Sequence, residues 1–391
     1  MLTVLKKCFR IAIFTIIFSI PLSASAQNIA VFGVGRLGIC VALCLEKAGY
    51  NVLGVDLAQE YIDKLNSKTF ISSEPSVTEL LKASQNFRAT TSLKEAIDFA
   101  DVYFITVSTT IGTYGYDYTM LTDLLTQLNS HSLAGKHIVI NSTVFPGYIK
   151  DTALPLLKNC KNVTLSYNPP FIAQGAIVQG FQTPDMVLIG EGSPEVGEIL
   201  EAVYQKVCIN SPHIARMSVP SAEIAKLALN CYVTAKIAFA NLVGDIADET
   251  EGADKFVILN ALGKDKRIGE KCLMPGYGFG GPCFPRDNRA LGAYALTKGI
   301  EPSLFTATDH VNHLHAEYMA KKCLLENLDE YVFEDVSYKP NSPVAIIEAS
   351  QKLLVAKIVA EHGKKVTLVD KKSVISLVQE KYGDLFTYVV K

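Results

Sequence analysis

The hexapeptide Gly33-Val34-Gly35-Arg36-Leu37-Gly38 constrains this chain most, because it stands between an apolar run, Ile29 to Phe32, and a helix-like pattern through Val41, Leu45 and Ala48. In a strand-turn-helix unit of that kind the first glycine permits the tight turn, the second lets a pyrophosphate approach the backbone, and the third packs helix on strand. The unpaired N–H groups at the helix start then favour phosphate. Asp56 ends the next apolar run, Val52 to Val55, at about 20 residues' distance, where an acid binds ribose hydroxyls and disfavours a 2′-phosphate. A glycine turn alone has no such meaning; with strand, helix and acid in place, NAD is the expected cofactor.

Further strands are expected at Val102–Val107, His137–Asn141, Val163–Tyr167 and Met186–Ile189, separated by helix-length segments. That alternation calls for an α/β fold, a Rossmann-type parallel sheet covered by helices, over residues 27–212. The period then changes: Ile224, Leu227, Cys231, Ala235, Ala238, Leu242 and Ile246 recur at helical spacing, with Ser218 as N-cap and Pro220 in the first turn. Residues 213–325 read as a central helical domain whose long helix forms a domain joint or a dimer seam. A strand at Tyr331–Tyr338, a helix at Ser350–His362 and a strand at Lys365–Asp370 make residues 326–391 a smaller C-terminal α/β domain.

With Lys, Arg, Asp and Glu mixed along 391 residues and a formal charge of -2, no electrostatic footprint for nucleic acid is present. The nine Cys are scattered without C-x-x-C or paired Cys/His spacing, so neither a disulfide framework nor a metal site is expected. Residues 1–26 form a separate segment, with Lys6, Lys7 and Arg10 before the apolar run Ile11–Leu22 and then Ser23-Ala24-Ser25-Ala26. This is a secretory signal layout. It points to export, whereas a nicotinamide enzyme draws on cytoplasmic pools; a retained segment would instead tether the chain to a membrane.

Two constellations carry chemistry. Lys226 and Asn230, four apart, share a helix face, where they could polarise a hydroxyl or stabilise an oxyanion, or be two polar residues on a wet face. Four glycines and three prolines surround Cys283 in Pro275-Gly276-Tyr277-Gly278-Phe279-Gly280-Gly281-Pro282-Cys283-Phe284-Pro285. Such a loop brings backbone close to a ligand while holding the thiol as a nucleophile. Arg286 is placed to lower the thiol pKa, and Asp287 to position a water or a lysine.

From Asn28 to about Asp370 these motifs resemble the UDP-glucose/GDP-mannose dehydrogenase family. The likeness rests on the cysteine loop, Glu223 to Asn230 as E-x-x-K-x-x-x-N, Arg267-Ile268-Gly269, Ser142-Thr143-Val144-Phe145-Pro146-Gly147 and Tyr338-Lys339-Pro340-Asn341. The resemblance implies a homodimer through the central helix and a four-electron, two-NAD oxidation of a nucleotide sugar, with UDP-glucose to UDP-glucuronate for polysaccharide synthesis as the first expectation. It implies a thiohemiacetal and then a thioester on Cys283, oxyanion stabilisation by Lys226 and Asn230, and Asp287 working with Lys226 on water. Thr109, Thr143 and Arg286 would lie by the cofactor. Phe171, Ile172, Tyr277, Gly280 and Lys339 would contact the sugar nucleotide, and Arg267 would reach the partner's substrate.

The chain departs from that pattern at Asn168-Pro169-Pro170-Phe171, where Pro170 replaces an acid and Gln174 offers no substitute base. Arg286 replaces a common lysine, Ile346 and Ile347 stand where an arginine is usual, and the C-terminal domain is short. A homologue with impaired turnover is therefore a second expectation. A two-electron hydroxy-acid dehydrogenase, which needs no cysteine loop, is a third.

Overall fold

The computed structural model describes residues 28–112, 115–339 and 342–391; the signal-like segment 1–26, and Pro340 and Asn341, lie outside them. Ten strands precede the long helix: β1 (Asn28–Phe32), β2 (Asn51–Val55), β3 (Phe87–Thr90), β4 (Val102–Ile105), β5 (Thr110–Gly112), β6 (Gly115–Asp117), β7 (His137–Ile140), β8 (Thr164–Tyr167), β9 (Met186–Glu191) and β10 (His213–Ser218). Eight of them form one sheet in the order β10-β9-β8-β7-β4-β1-β2-β3, and β5 and β6 form a separate hairpin. The large sheet is parallel except where β8 meets β9 at Tyr167 and Gly190.

β1 lies centrally because both its faces are apolar: Ile29 and Val31 point into one core and Ala30 and Phe32 into the other. Strand order reverses beside β1, between β4 and β2, so a crevice opens at the carboxyl ends of these strands. Two expected strands are shorter in the fold, and a third strand, β10, was not expected. β4 stops at Ile105 because the Thr106 hydroxyl turns back to the Gly33 carbonyl at 2.8 Å. β10, half-exposed at the sheet edge, carries the sheet past residue 212 to Ser218. The strand expected at Tyr331–Tyr338 is β11 (Glu330–Glu334), ended by Asp335 at φ 52°.

The helix Val219–Asp248 runs 30 residues, about 45 Å. The Ser218 hydroxyl caps it by accepting from the Ser221 N–H, and Pro220 sits in its first turn. It is the one helix among the described residues long and apolar enough to cross a membrane. Its inward face nevertheless carries Glu223, Lys226, Asn230, Thr234 and Asn241, all buried against the sheet and the helices Phe284–Thr297 and Ser303–Leu325. The outward face leaves Tyr232, Phe239, Leu242 and Ile246 exposed. A second sheet, β11 with β12 (Lys365–Asp370) and β13 (Thr387–Val390), closes the chain in all-parallel order, with the helix Gln351–Glu361 capped by Ser350 beside it.

The three glycines after β1 occupy distinct environments. Gly33 adopts φ 85° and donates to the Val55 carbonyl at 2.8 Å. A Cβ on Gly38 would stand 2.1 Å from the Gly33 carbonyl oxygen, whereas a Cβ on Gly35 would meet nothing within 4 Å. Gly38→Ala is therefore expected to cost about 1–3 kcal/mol and lower the melting temperature, while Gly35→Ala leaves it unchanged. Equal melting temperatures for the two variants would contradict this account of the turn.

Candidate functional site

The crevice beside β1 is a cavity of about 600 Å³. At one end it is lined by Gly33, Gly35, Arg36 and Leu37, and Asp56 faces it from the end of β2. Gly35 is the N-cap of the helix Arg36–Lys47, so that helix directs its first N–H groups at the open space Gly35 leaves. Asp56 accepts from the Leu57 N–H at 2.8 Å, and its carboxylate stands where two ribose hydroxyls would pair with it. The glycine turn, helix start and acid fit an NAD pyrophosphate and adenosine ribose. Arg36 crosses the mouth to the Gln174 side chain at 2.6 Å.

At the other end the cavity reaches Thr109, Thr143, Pro170, Ile172, Lys226, Cys283 and Arg286. Cys283 precedes the helix Phe284–Thr297 as its N-cap residue, in the field of that helix start. Solvent reaches the residue through the cleft mouth, yet the walls enclose it. That enclosure pushes its thiol above the ordinary value; Asp287 adds to the rise, while Arg286 and Lys226 oppose it. The expected lowering by Arg286 is thus present but outweighed by burial.

Lys226 donates to the Pro170 carbonyl at 2.9 Å and lies 4.5 Å from the centroid of the Phe171 ring. Burial holds its ammonium below the usual lysine range, helped by Arg286 and opposed by Asp287 and Cys283. Pro170 thus meets the lysine with a backbone oxygen where a carboxylate was expected to be missing. The carboxylates lining the cavity are Asp56 and Asp123.

Asp287 and Asn230 sit apart from the open cavity, as one buried unit. The Asp287 carboxylate, 1 % exposed, accepts from the Asn230 amide (2.6 Å), the Tyr116 hydroxyl (2.8 Å) and the Arg286 guanidinium (2.9 Å). Arg286 also donates to the Thr109 carbonyl at 3.2 Å and stacks on Tyr116 at 4.7 Å. Asp287, expected to work with Lys226 on a water, hydrogen-bonds these three donors and acts on Lys226 through its charge. Asn230 likewise spends an amide N–H on Asp287. Tyr116 arrives at the carboxylate from β6, far away in sequence.

The remaining expected residues divide as follows. Thr109 donates its hydroxyl to the Thr143 carbonyl at 2.8 Å, which ties two cavity walls together. Val34 and Gly38 are buried beneath the turn, and Gly280 packs on the Ala349 carbonyl. Tyr277 is partly exposed on the cysteine loop, Lys339 is exposed, and Arg267 is 89 % exposed and paired with Asp265. Sequence reasoning assigned no role to Tyr116, nor to Glu223. The buried Glu223 carboxylate accepts from the N–H groups of Gly147 (2.7 Å) and Ile149 (3.0 Å), fixing the segment that carries Thr143. Its place in the E-x-x-K-x-x-x-N run was the available signal; Tyr116 had none.

Comparisons with known proteins agree with this geometry. Residues 27–208 match the UDP-glucose/GDP-mannose dehydrogenase family, NAD binding domain, and residues 220–314 match the central domain of the same family. The chain is 32% identical over 293 residues to a GDP-mannose 6-dehydrogenase of Pseudomonas putida, covering 71% of this chain and 66% of that one. It is 30% identical over 314 residues to a UDP-glucose 6-dehydrogenase of Pseudomonas aeruginosa, covering 78% and 68%. The matches thus span about two thirds of these relatives' length. A UDP-glucose dehydrogenase structure from Pyrobaculum islandicum superposes with a TM-score of 0.83 at 26% identity, over 93% of this chain and 86% of that one. The chain belongs to the UDP-glucose/GDP-mannose dehydrogenase family, with an NAD-binding domain at its amino-terminal end.

Proposed function

We propose that the chain oxidises the primary alcohol of a nucleotide sugar to a carboxylate through Cys283, with UDP-glucose to UDP-glucuronate as the reaction and polysaccharide precursors as the purpose. The observation that carries this reading is one cavity shared by the glycine turn, Asp56, Lys226 and Cys283. NAD, held by the glycine turn and Asp56, would supply the hydride acceptor.

The chemistry proceeds in balanced steps. The alcohol gives up a proton and a hydride and becomes an aldehyde; Lys226, its basicity reduced by burial, is the group that exchanges the proton. The Cys283 sulfur adds to the aldehyde carbon to give a thiohemiacetal, which holds the intermediate on the protein. Loss of a second hydride together with the hydroxyl proton yields a thioester, and water adds to it to release the acid and restore the thiol. Two hydrides leave per sugar, so two NAD are consumed. Lys226 and Arg286 place positive charge where the oxyanions develop. Asn230 and Asp287 hold Arg286 in place.

The exposed face of the long helix supports a homodimer, in which Arg267 would reach the partner's cleft. Cofactor and substrate supply support a cytoplasmic site of action. A second reading, slow thioester hydrolysis, is favoured by Pro170, which leaves no carboxylate side chain beside Lys226 where an acid is usual.

Three outcomes test these readings. Purified protein is expected to form two NADH per UDP-glucose consumed, and Cys283→Ala to form no acid while still binding NAD; acid formation by that variant would remove the cysteine scheme, and turnover with GDP-mannose alone would change the substrate. Because Lys226 opposes the rise of the thiol, Lys226→Met should move the pH midpoint of Cys283 alkylation further to the alkaline side, read by peptide mass spectrometry; an acid shift would contradict the charge assignment. Under the second reading an acyl adduct accumulates on Cys283 in intact mass spectra, and Pro170→Glu raises turnover by about 100-fold. Unchanged turnover in that variant would clear Pro170 of blame.

A further inference from the structure

The cysteine loop is gripped by side chains of two helices. On the helix Val219–Asp248, Asn241 and Asp245 are four apart and share a face. On the helix Ser303–Leu325, Asn312 and His315 are three apart and do the same. Asn312 accepts from the Phe279 N–H at 2.8 Å and donates to the Phe279 carbonyl at 3.0 Å. Asn241 accepts from the Gly276 N–H at 2.9 Å, and the Gly276 carbonyl lies 2.6 Å from His315 Nε2. His315 Nδ1 lies 2.9 Å from each oxygen of Asp245.

Both ring nitrogens of His315 therefore face acceptors. A carbonyl oxygen donates nothing, an ionised carboxylate donates nothing, and a neutral imidazole has a single N–H. Only the doubly protonated ring makes both bonds at once. His315 is 7 % exposed, so water does not replace a lost partner cheaply.

The charged groups around it leave Asp245 to His315. On the long helix Asp248 is paired with Lys255, and Glu249 accepts from Tyr318 and Lys322. On its own helix His313 faces Glu317. From the helix Gln351–Glu361, Lys352 rests over the Tyr277 ring at 5.1 Å.

We propose that His315 is a positioning residue that, as an imidazolium bridging Asp245 and the Gly276 carbonyl, fixes the loop presenting Cys283. Removing its proton sets a lone pair against either the carbonyl or the carboxylate and weakens the hold on Gly276, whose N–H stays on Asn241. The next ties downstream are Asn312 on Phe279 and the Gly281 N–H on the Glu348 carbonyl at 2.9 Å, so the loosened stretch is Gly276 to Gly278 and reaches the cysteine through these two ties. The consequence for catalysis rests on Cys283 being the nucleophile; the latch itself does not.

The full-length protein labelled with 15N-histidine should show, at pH 6.5, one histidine with both ring nitrogens at imidazolium positions that is absent from His315→Gln. If that variant does not fold, displacement of the same signals in Asp245→Asn assigns them. A neutral-tautomer pattern for His315 overturns the proposal. In parallel, iodoacetamide should modify Cys283 about fivefold more slowly in His315→Gln than in the parent protein at pH 6.5. Equal rates for the two proteins at pH 6.5 also overturn it. Neither readout needs a nucleotide sugar, so failure of the NADH assays leaves the latch standing and failure of the latch leaves the oxidation scheme standing.

Discussion

The buried carboxylate of Asp287 is the interaction on which the cleft depends. A charge withdrawn from water costs several kcal/mol unless its lone pairs are filled, and here donors arrive from β6, from the long helix and from the neighbouring Arg286. Each donor belongs to a different wall. Satisfying one carboxylate therefore sets the hairpin, the long helix and the helix behind Cys283 in fixed relation, and Arg286, held on both sides, reaches Thr109. Tyr116 is a reliable donor in this set, since burial and the adjacent carboxylate push its phenol far above the ordinary range.

The same economy recurs along the cysteine loop. Its backbone has no helix or strand to pair with, and so Asn241, Asn312 and His315 supply from side chains the bonds that a sheet partner would give. Gly278 and Gly280 are required there because a Cβ would lie 2.2 Å from Asn312 Oδ1 and from the Ala349 carbonyl. A loop packed this closely holds a thiol at a helix start without further support. The price is paid in basicity, since the enclosure that orders Cys283 also disfavours its thiolate.

Much of this was legible before any coordinates. The glycine turn, β1, β2 and Asp56 followed from local pattern, because a strand-turn-helix unit is specified within thirty residues or so. The cap of the long helix at Ser218 and Pro220 was equally local. β3, β10 and β13 were missed: β10 is half-exposed along its length and β3 and β13 carry polar or exposed positions, so none presents the apolar run that marks a buried strand. The hydrogen-bond partners of Asp287 were not legible for a different reason, since a carboxylate's partner is chosen by distance in space and Tyr116 stands 171 residues away in sequence.

What the sequence by itself determined is the set of local units: a dinucleotide turn, a long capped helix with polar residues at inward spacing, and a glycine-rich cysteine loop. These are encoded by backbone freedom and by periodicity, which act over a few residues. Only the tertiary structure decided which polar groups meet. Lys226 pairs with a proline carbonyl, Asn230 with Asp287, and His315 with the loop it steadies, because burial forces every donor and acceptor to find whatever partner the packed chain brings within reach.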